Sequence, residues 1–261
     1  MTVALLQTDI AWAAEDANIQ AASQLMQQAP GADLYVLPEM WSTGFATDPR
    51  SVAPHEDSSE ALRWMVDQAD ARHCAISGSL AIQAADGTWR NRHYFADGRS
   101  HHLYSYDKHH LFTYGGEDQY YTPGQQHTVV PYEGMRFLLL TCYDLRFPVW
   151  SRYADDLQYD AIIVVANWPE RRQPAWQLLT RARAIENQSY IIATNRVGTD
   201  PYGRYAGASV VADLNGCTLV QCRHHQVQAA TVVIDPLWQQ QQRERFHALD
   251  DRDKVQSVKY E

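Results

Sequence analysis

The chain of 261 residues is short of the features that mark several large protein classes. Its four cysteines, Cys74, Cys142, Cys217 and Cys222, are too sparse for the disulfide frame of a small secreted fold. Positive charge is scarce: 22 basic against 31 acidic residues leave a formal net charge of -9 and a pI of about 5.6. The longest basic runs are pairs such as Arg171-Arg172, whereas phosphate binding needs a clustered basic surface, so a nucleic-acid partner is disfavoured and none is expected. Long apolar runs are missing as well. Phe137 to Leu140 and Ala161 to Ala166 are strand-sized, which argues against a membrane span. The start, Met1 to Asp9, has no basic region and too short an apolar run for a signal peptide. A reduced cytoplasmic setting follows, in which a free thiol survives. There is no long linker, no internal repeat and no break in composition, so residues 1–261 read as one domain. A polar, Gln-rich tail (237–261), anchored by Trp238, Phe246 and Leu249, reads as a frayed end or as an arm packed on a partner subunit.

What is present is ordinary globular material, 45% hydrophobic and 20% charged. Runs rich in Val, Ile, Leu and Tyr recur at Val3 to Gln7, Asp33 to Leu37, Ala75 to Leu80, Phe137 to Thr141, Ala161 to Ala166 and Tyr190 to Thr194. They are near-continuous rather than alternating, as strands covered on both faces are. Helical stripes lie between them: Ile19, Ala22, Leu25, Met26 and Ala29; then Leu62, Met65, Val66 and Ala69, with Asp57 and Glu60 at capping-box spacing; then Ala175, Leu178, Leu179, Ala182 and Ile185. Strand-helix alternation predicts an α/β fold, and the turns Asp86-Gly87 and Asn215-Gly216 predict added antiparallel pairs.

Three residues stand where apolar strands give way to polar sequence. Cys142 follows Phe137-Leu138-Leu139-Leu140-Thr141, and Glu39 follows Asp33-Leu34-Tyr35-Val36-Leu37-Pro38. Strand ends hold side chains rigidly at a crevice, where a cysteine can serve as nucleophile and a carboxylate can move protons. Lys108, among aromatics in Tyr104 to Phe112, supplies a cation able to stabilise a thiolate or an oxyanion. Taken singly, they read more readily as a buried hydrophobe (Cys142), a loop acid (Glu39) and a surface lysine (Lys108) than as catalytic groups.

Together, and in this order, they resemble the Glu-Lys-Cys triad of the nitrilase, or carbon-nitrogen hydrolase, superfamily. The resemblance rests on Leu37-Pro38-Glu39, on Tyr106-Asp107-Lys108-His109-His110-Leu111-Phe112 and on Cys142-Tyr143-Asp144-Leu145-Arg146-Phe147-Pro148. It continues through Ala166-Asn167-Trp168-Pro169, Ala182 to Gln188, Asn195-Arg196-Val197-Gly198 and Gly207-Ala208-Ser209. It implies a four-layer α-β-β-α sandwich, commonly a homodimer with helices stacked across the interface. It also implies a second glutamate between lysine and cysteine. Glu117 fills that place, with Asp118 its neighbour. The segments Cys142 to Arg152 and Ala166 to Pro169 are most similar to the omega-amidase branch, which hydrolyses the terminal amide of small acids such as 2-oxoglutaramate, 2-oxosuccinamate and succinamate.

That resemblance implies cleavage through a cysteine thioester, with Glu39 moving protons and the oxyanion held by Lys108 and the backbone N–H of Tyr143. No step needs a metal or an organic cofactor. A substrate carboxylate needs a cationic partner, for which Arg172 is favoured over Arg171, Arg146 and Arg196, Arg146 reading also as a partner for Asp144 or Glu186. Trp41, Phe45, Tyr114 and Trp168 are expected to wall the pocket. The adjacent histidine pairs match no metal spacing. Alternatives are another activity of the superfamily (nitrilase, N-carbamoyl or aliphatic amidase) and a non-catalytic binding protein of the same fold.

Overall fold

The computed structural model describes residues 1–253. β1 (Thr2–Gln7), β2 (Leu34–Val36) and β3 (Ala75–Gln83) run parallel. They are joined by α1 (Glu15–Gln28) and α2 (Glu60–Arg72). β4 (Trp89–Asp97) turns back through Asp86-Gly87, and β5 (His102–Asp107) pairs antiparallel with it. β6 (Val129–Tyr132) then pairs antiparallel with β7 (Met135–Thr141), which starts a second parallel set with β8 (Ala161–Ala166) and β9 (Tyr190–Asn195). α3 (Gln173–Glu186) makes the crossover from β8 to β9. A separate hairpin follows, β10 (Val197–Asp200) with β11 (Gly203–Ala206). β12 (Val210–Ala212) and β13 (Thr218–Gln221), hinged at Asn215-Gly216, complete the second sheet. β14 (Gln228–Val233) returns to the first sheet, antiparallel to β1.

Two six-stranded sheets result, ordered β14-β1-β2-β3-β4-β5 and β13-β12-β9-β8-β7-β6. Each has three parallel central strands flanked by antiparallel ones, an architectural repeat with no counterpart in the sequence. The continuous apolar runs are explained by the strand period of two. In the first sheet Val3, Leu5, Leu34, Val36 and Ala75 face a core shared with Phe137 and Leu138, while Ala4, Leu6, Tyr35, Leu37 and Ile76 face α1 and α2. Both faces are buried, so neither set can be polar. With α3 outside the second sheet, the layers run α-β-β-α, as expected.

Two helical expectations need correction. α2 is capped by Ser59, whose hydroxyl accepts from the Leu62 N–H at 3.2 Å, and not by a box begun at Asp57. The stripe on α3 is also not its core face. Trp176, Thr180, Arg183 and Ala184 point inward, whereas Leu178 is 71% and Ile185 51% exposed. The inward polar groups are tolerated because acceptors await them: Trp176 Nε1 donates to the Ala208 carbonyl at 2.9 Å and Arg183 to the Leu145 carbonyl at 2.8 Å.

Within the tail, α4 (Pro236–Arg245) is capped by Asp235 and lies against its own chain, with Gln239 donating to the Asp160 carbonyl at 2.7 Å and Arg243 to the Gln188 carbonyl at 2.9 Å. Leu249 is buried and Phe246 exposed. The part of the expected arm at 254–261 lies outside the described residues.

Candidate active site

The ends of β2, β5 and β7 converge between the sheets. Cys142 opens a 3-10 helix (Cys142–Arg146) immediately after β7, with a left-handed φ of 44° that turns its side chain out of the strand and toward Glu39. Lys108 follows β5 directly, and its backbone is clamped by Asn91 and Gly124. Glu117 begins the 3-10 turn Glu117–Gln119 and is fully buried, while Asp118 beside it is exposed.

Lys108 Nζ donates to Oε1 of Glu39 at 2.8 Å and to both oxygens of Glu117 at 3.1 and 2.8 Å. Neither carboxylate nor the ammonium has any exposed side-chain surface. Burial alone would push the lysine toward its neutral form, but Glu117 and Glu39 more than offset it and hold the cation firmly. Burial raises the Glu117 carboxyl against the pull of Lys108. Yet every contact to its oxygens is a donor: Lys108, Asn91 Nδ2 at 3.0 Å and the Phe112 N–H at 2.6 Å. A proton on Glu117 would meet only other protons, so it remains an acceptor.

Glu39 is arranged differently. Oε1 accepts from Lys108 and from Asn91 Nδ2 at 2.8 Å, Oε2 accepts from the Asn167 N–H at 2.9 Å, and the carboxylate is hydrogen-bonded to the thiol of Cys142. The thiol is pushed up, first by burial and then by the negative charge and hydrogen bond of Glu39, with Lys108 pulling the other way. Lys108 thus favours the thiolate, as expected of it, whereas Glu39 favours the thiol. The sulfur rests protonated, with a carboxylate in place to receive its proton.

Asn91 and Asn167 were not singled out from the sequence. Asn91 bridges the two glutamates from β4, and Asn167 also donates through Nδ2 to the Glu39 carbonyl at 2.8 Å. The signal for Asn91 was a polar residue in a strand whose alternate positions, His93 and Phe95, turn the same way into the core.

Cys142 and Lys108 open onto a cavity of about 260 Å³ walled by Phe45, Phe112, Tyr114, Tyr143, Trp168 and Tyr205, with Arg146, Arg171 and Arg172 around it. Trp41 is not part of it. Gly78 leaves room for its ring, which packs against Trp64 at 5.2 Å in the core beneath α1 and α2. Arg196 is fully buried and bound to Asp9, Asp200 and the Ile10 carbonyl, so it is not free for a ligand. Arg146 pairs with neither Asp144 nor Glu186. The latter is held by Arg183, and Arg146 lies over the Trp168 ring at 4.8 Å. Arg172 lies over Phe112 and Tyr114 at 5.1 and 5.2 Å. Among the described residues none of Arg146, Arg171 and Arg172 has a carboxylate partner. Arg172 is pushed down by burial and then by the repulsion of Arg171 and Arg146, which marks a local excess of positive charge in the cavity that Cys142 lines.

The carbon-nitrogen hydrolase family model matches residues 2–243. The omega-amidase YafV of Yersinia enterocolitica is 39% identical over 257 residues, 97% of each chain. A 2-oxoglutaramate amidase of Bacillus subtilis is 32% identical over 84% of this chain and 85% of its own. A crystal structure of a Xanthomonas campestris protein of the CN-hydrolase superfamily, with an arsenic adduct in its active site, superposes with a TM-score of 0.93 at 34% identity and covers 98% of both chains. The buried Glu39-Lys108-Glu117 cluster facing a cysteine at a strand end therefore sits in a chain that belongs to the carbon-nitrogen hydrolase family.

Proposed function

We propose that this protein is an omega-amidase, releasing ammonia from the terminal amide of a small omega-amido acid such as 2-oxoglutaramate, 2-oxosuccinamate or succinamate. The observation that carries the substrate class is the arginine group without carboxylate partners in the lining of a small, aromatic-walled cavity that Cys142 also lines. A substrate carboxylate supplies what those arginines lack, and its amide then reaches the sulfur. Arg172 is the favoured anchor, with Arg171 and Arg146 its remaining rivals now that Arg196 is committed elsewhere.

The reaction runs in two halves. Glu39 takes the thiol proton as the sulfur of Cys142 attacks the amide carbonyl carbon. Lys108 and the Tyr143 N–H, an unpaired donor of the first helical turn, hold the oxyanion. Glu39 returns the proton to the nitrogen, ammonia leaves and a thioester remains. Water then attacks the thioester as Glu39 takes its proton, and the thiol is restored as the acid departs. Glu117 keeps Lys108 charged and aimed throughout.

The same reading treats 1–261 as one domain, supported by the span of the family match, working in a reducing cytoplasm that leaves all four cysteines free. It takes the protein as a homodimer, supported by the outward apolar face of α3.

The test is ammonia release from 2-oxoglutaramate and succinamate by wild type beside Cys142→Ala. Release abolished by the substitution supports the reading. A wild type inactive on both substrates, yet active on a nitrile or carbamoyl compound, would replace it with another activity of the family.

A further inference from the structure

The nucleophile and the lysine stand on different sheets, and one buried carboxylate is bonded to both of their segments. Asp144, two residues after Cys142, is fully buried. Its Oδ2 accepts from the Thr141 N–H at 3.0 Å, directly before the nucleophile, and from the Tyr106 hydroxyl at 2.8 Å. Its Oδ1 accepts from the N–H and Nδ1 of His110, each at 2.9 Å. Tyr106 and His110 flank Lys108 by two residues on either side. Four donors saturate the carboxylate, and burial, which opposes its charge, is outweighed by them. Tyr106 is itself locked, its oxygen accepting from Trp150 Nε1 at 2.9 Å and the His109 N–H at 3.2 Å.

We propose that Asp144 is a positioning residue that sets the separation of Cys142 from Lys108, with Tyr106 and His110 as its grips on the lysine segment. The argument is geometric. The left-handed backbone at Cys142 has to be held by its surroundings, and the bond to the Thr141 N–H pins the chain one peptide earlier, at Leu140–Thr141. The same carboxylate grasps the lysine segment on both sides, so a shift of either catalytic group relative to the other must break one of its bonds. An asparagine offers one acceptor oxygen where four donors point, and cannot replace it.

The inference rests on reading Cys142 and Lys108 as catalytic, so its test has a readout that needs no substrate: alkylation of Cys142 by iodoacetamide, followed by peptide mass spectrometry, in Tyr106→Phe, Asp144→Asn and the double variant. Tyr106→Phe is the milder change, since it keeps the ring and both His110 bonds. The expectation is about tenfold slower alkylation and a similar fall in kcat with KM within about twofold. Asp144→Asn is expected to lose about 10²-fold, and adding Tyr106→Phe to it to cost little more, because the two act as one unit. If Asp144→Asn does not fold, Tyr106→Phe decides. Alkylation at the wild-type rate in a variant whose melting temperature has fallen would overturn the proposal and leave a structural bond only. Slower alkylation in a protein that shows no amidase activity would uphold the positioning role while the proposed reaction fails.

Discussion

Glu117 grips Lys108 with both carboxylate oxygens, at 3.1 and 2.8 Å, with neither side chain exposed. A buried ammonium paired this way loses most of its electrostatic support when one acceptor becomes a donor. Glu117→Gln should therefore lower kcat by about 10²-fold with a smaller change in KM. The variant should also melt earlier. Steady-state kinetics and a thermal melt on the same preparation check both, and an unchanged kcat would remove Glu117 from the machinery.

Arg172 should govern affinity rather than chemistry. Its guanidinium lies over Phe112 and Tyr114, on the wall of the cavity that Cys142 also lines. Arg172→Ala should raise KM for succinamate by about 10- to 10²-fold, the worth of a charge-assisted hydrogen bond, with kcat largely kept. Hydrolysis of butyramide, which has no carboxylate, should scarcely change. Equal losses on both substrates would assign Arg172 to the cavity's shape instead, and Arg146→Ala would then be the comparison to make.

Acid should destabilise the fold through His93. This side chain is fully buried between the sheets, with Nε2 2.7 Å from the Ser77 hydroxyl and Nδ1 3.2 Å from the Leu140 carbonyl. The carbonyl can only accept, so Nδ1 carries the proton and Nε2 accepts from the serine. Burial pushes this histidine down from its usual 6.5 to about 3. Between those values the unfolded chain binds a proton that the folded chain refuses, so stability is complete above about pH 6.5 and falls as pH drops. The slope is about 1.4 kcal/mol per pH unit from this group. Urea titrations from pH 7 to pH 4 should show it, and His93→Gln, though less stable at pH 7, should give a shallower dependence. Parallel slopes would rule His93 out as the source.

Leu178 and Ile185 should lie in a subunit contact. Both are large, apolar and more than half exposed on α3. Leu178→Glu combined with Ile185→Glu should convert a dimer to a monomer by light scattering after size exclusion, with the melting temperature of the monomer reported alongside. A wild type that runs as a monomer at micromolar concentration would remove this contact.

Much of the fold was legible because burial on both faces forces strands to be uniformly apolar. All six predicted runs are strands, and both Gly-containing turns join antiparallel pairs. The helix face of α3 was misread because Trp176 and Arg183 find backbone acceptors inside, which freed leucine and isoleucine for the outside. The repeated sheet order was invisible, since topology lives in pairing and not in residue identity. At the site, Glu39, Lys108, Glu117 and Cys142 come together as the motifs implied. Lysine is so rare here that Lys108 is the sole one before residue 254, a clue available from the letters alone. Asn91 and Asn167 escaped notice because their importance lies in what they touch across the chain. Trp41 was expected at the pocket because aromatics line small-molecule sites, but a turn at Met40, with φ 41°, sends it to the opposite side of the sheet.

The pairing of Thr2 with Val233 has a consequence in time. β1 is made before every other strand of the first sheet, yet its second neighbour, β14, is made after all of them. During synthesis the strand must wait with one edge unpaired while the whole second sheet is built, and such a long sequence separation slows closure and leaves an edge open to wrong partners. A nascent chain halted before residue 228 would carry Glu39, Lys108, Glu117 and Cys142 but not the strand that closes the sheet from which Glu39 projects. Activity should thus emerge late and all at once, when the final strand docks.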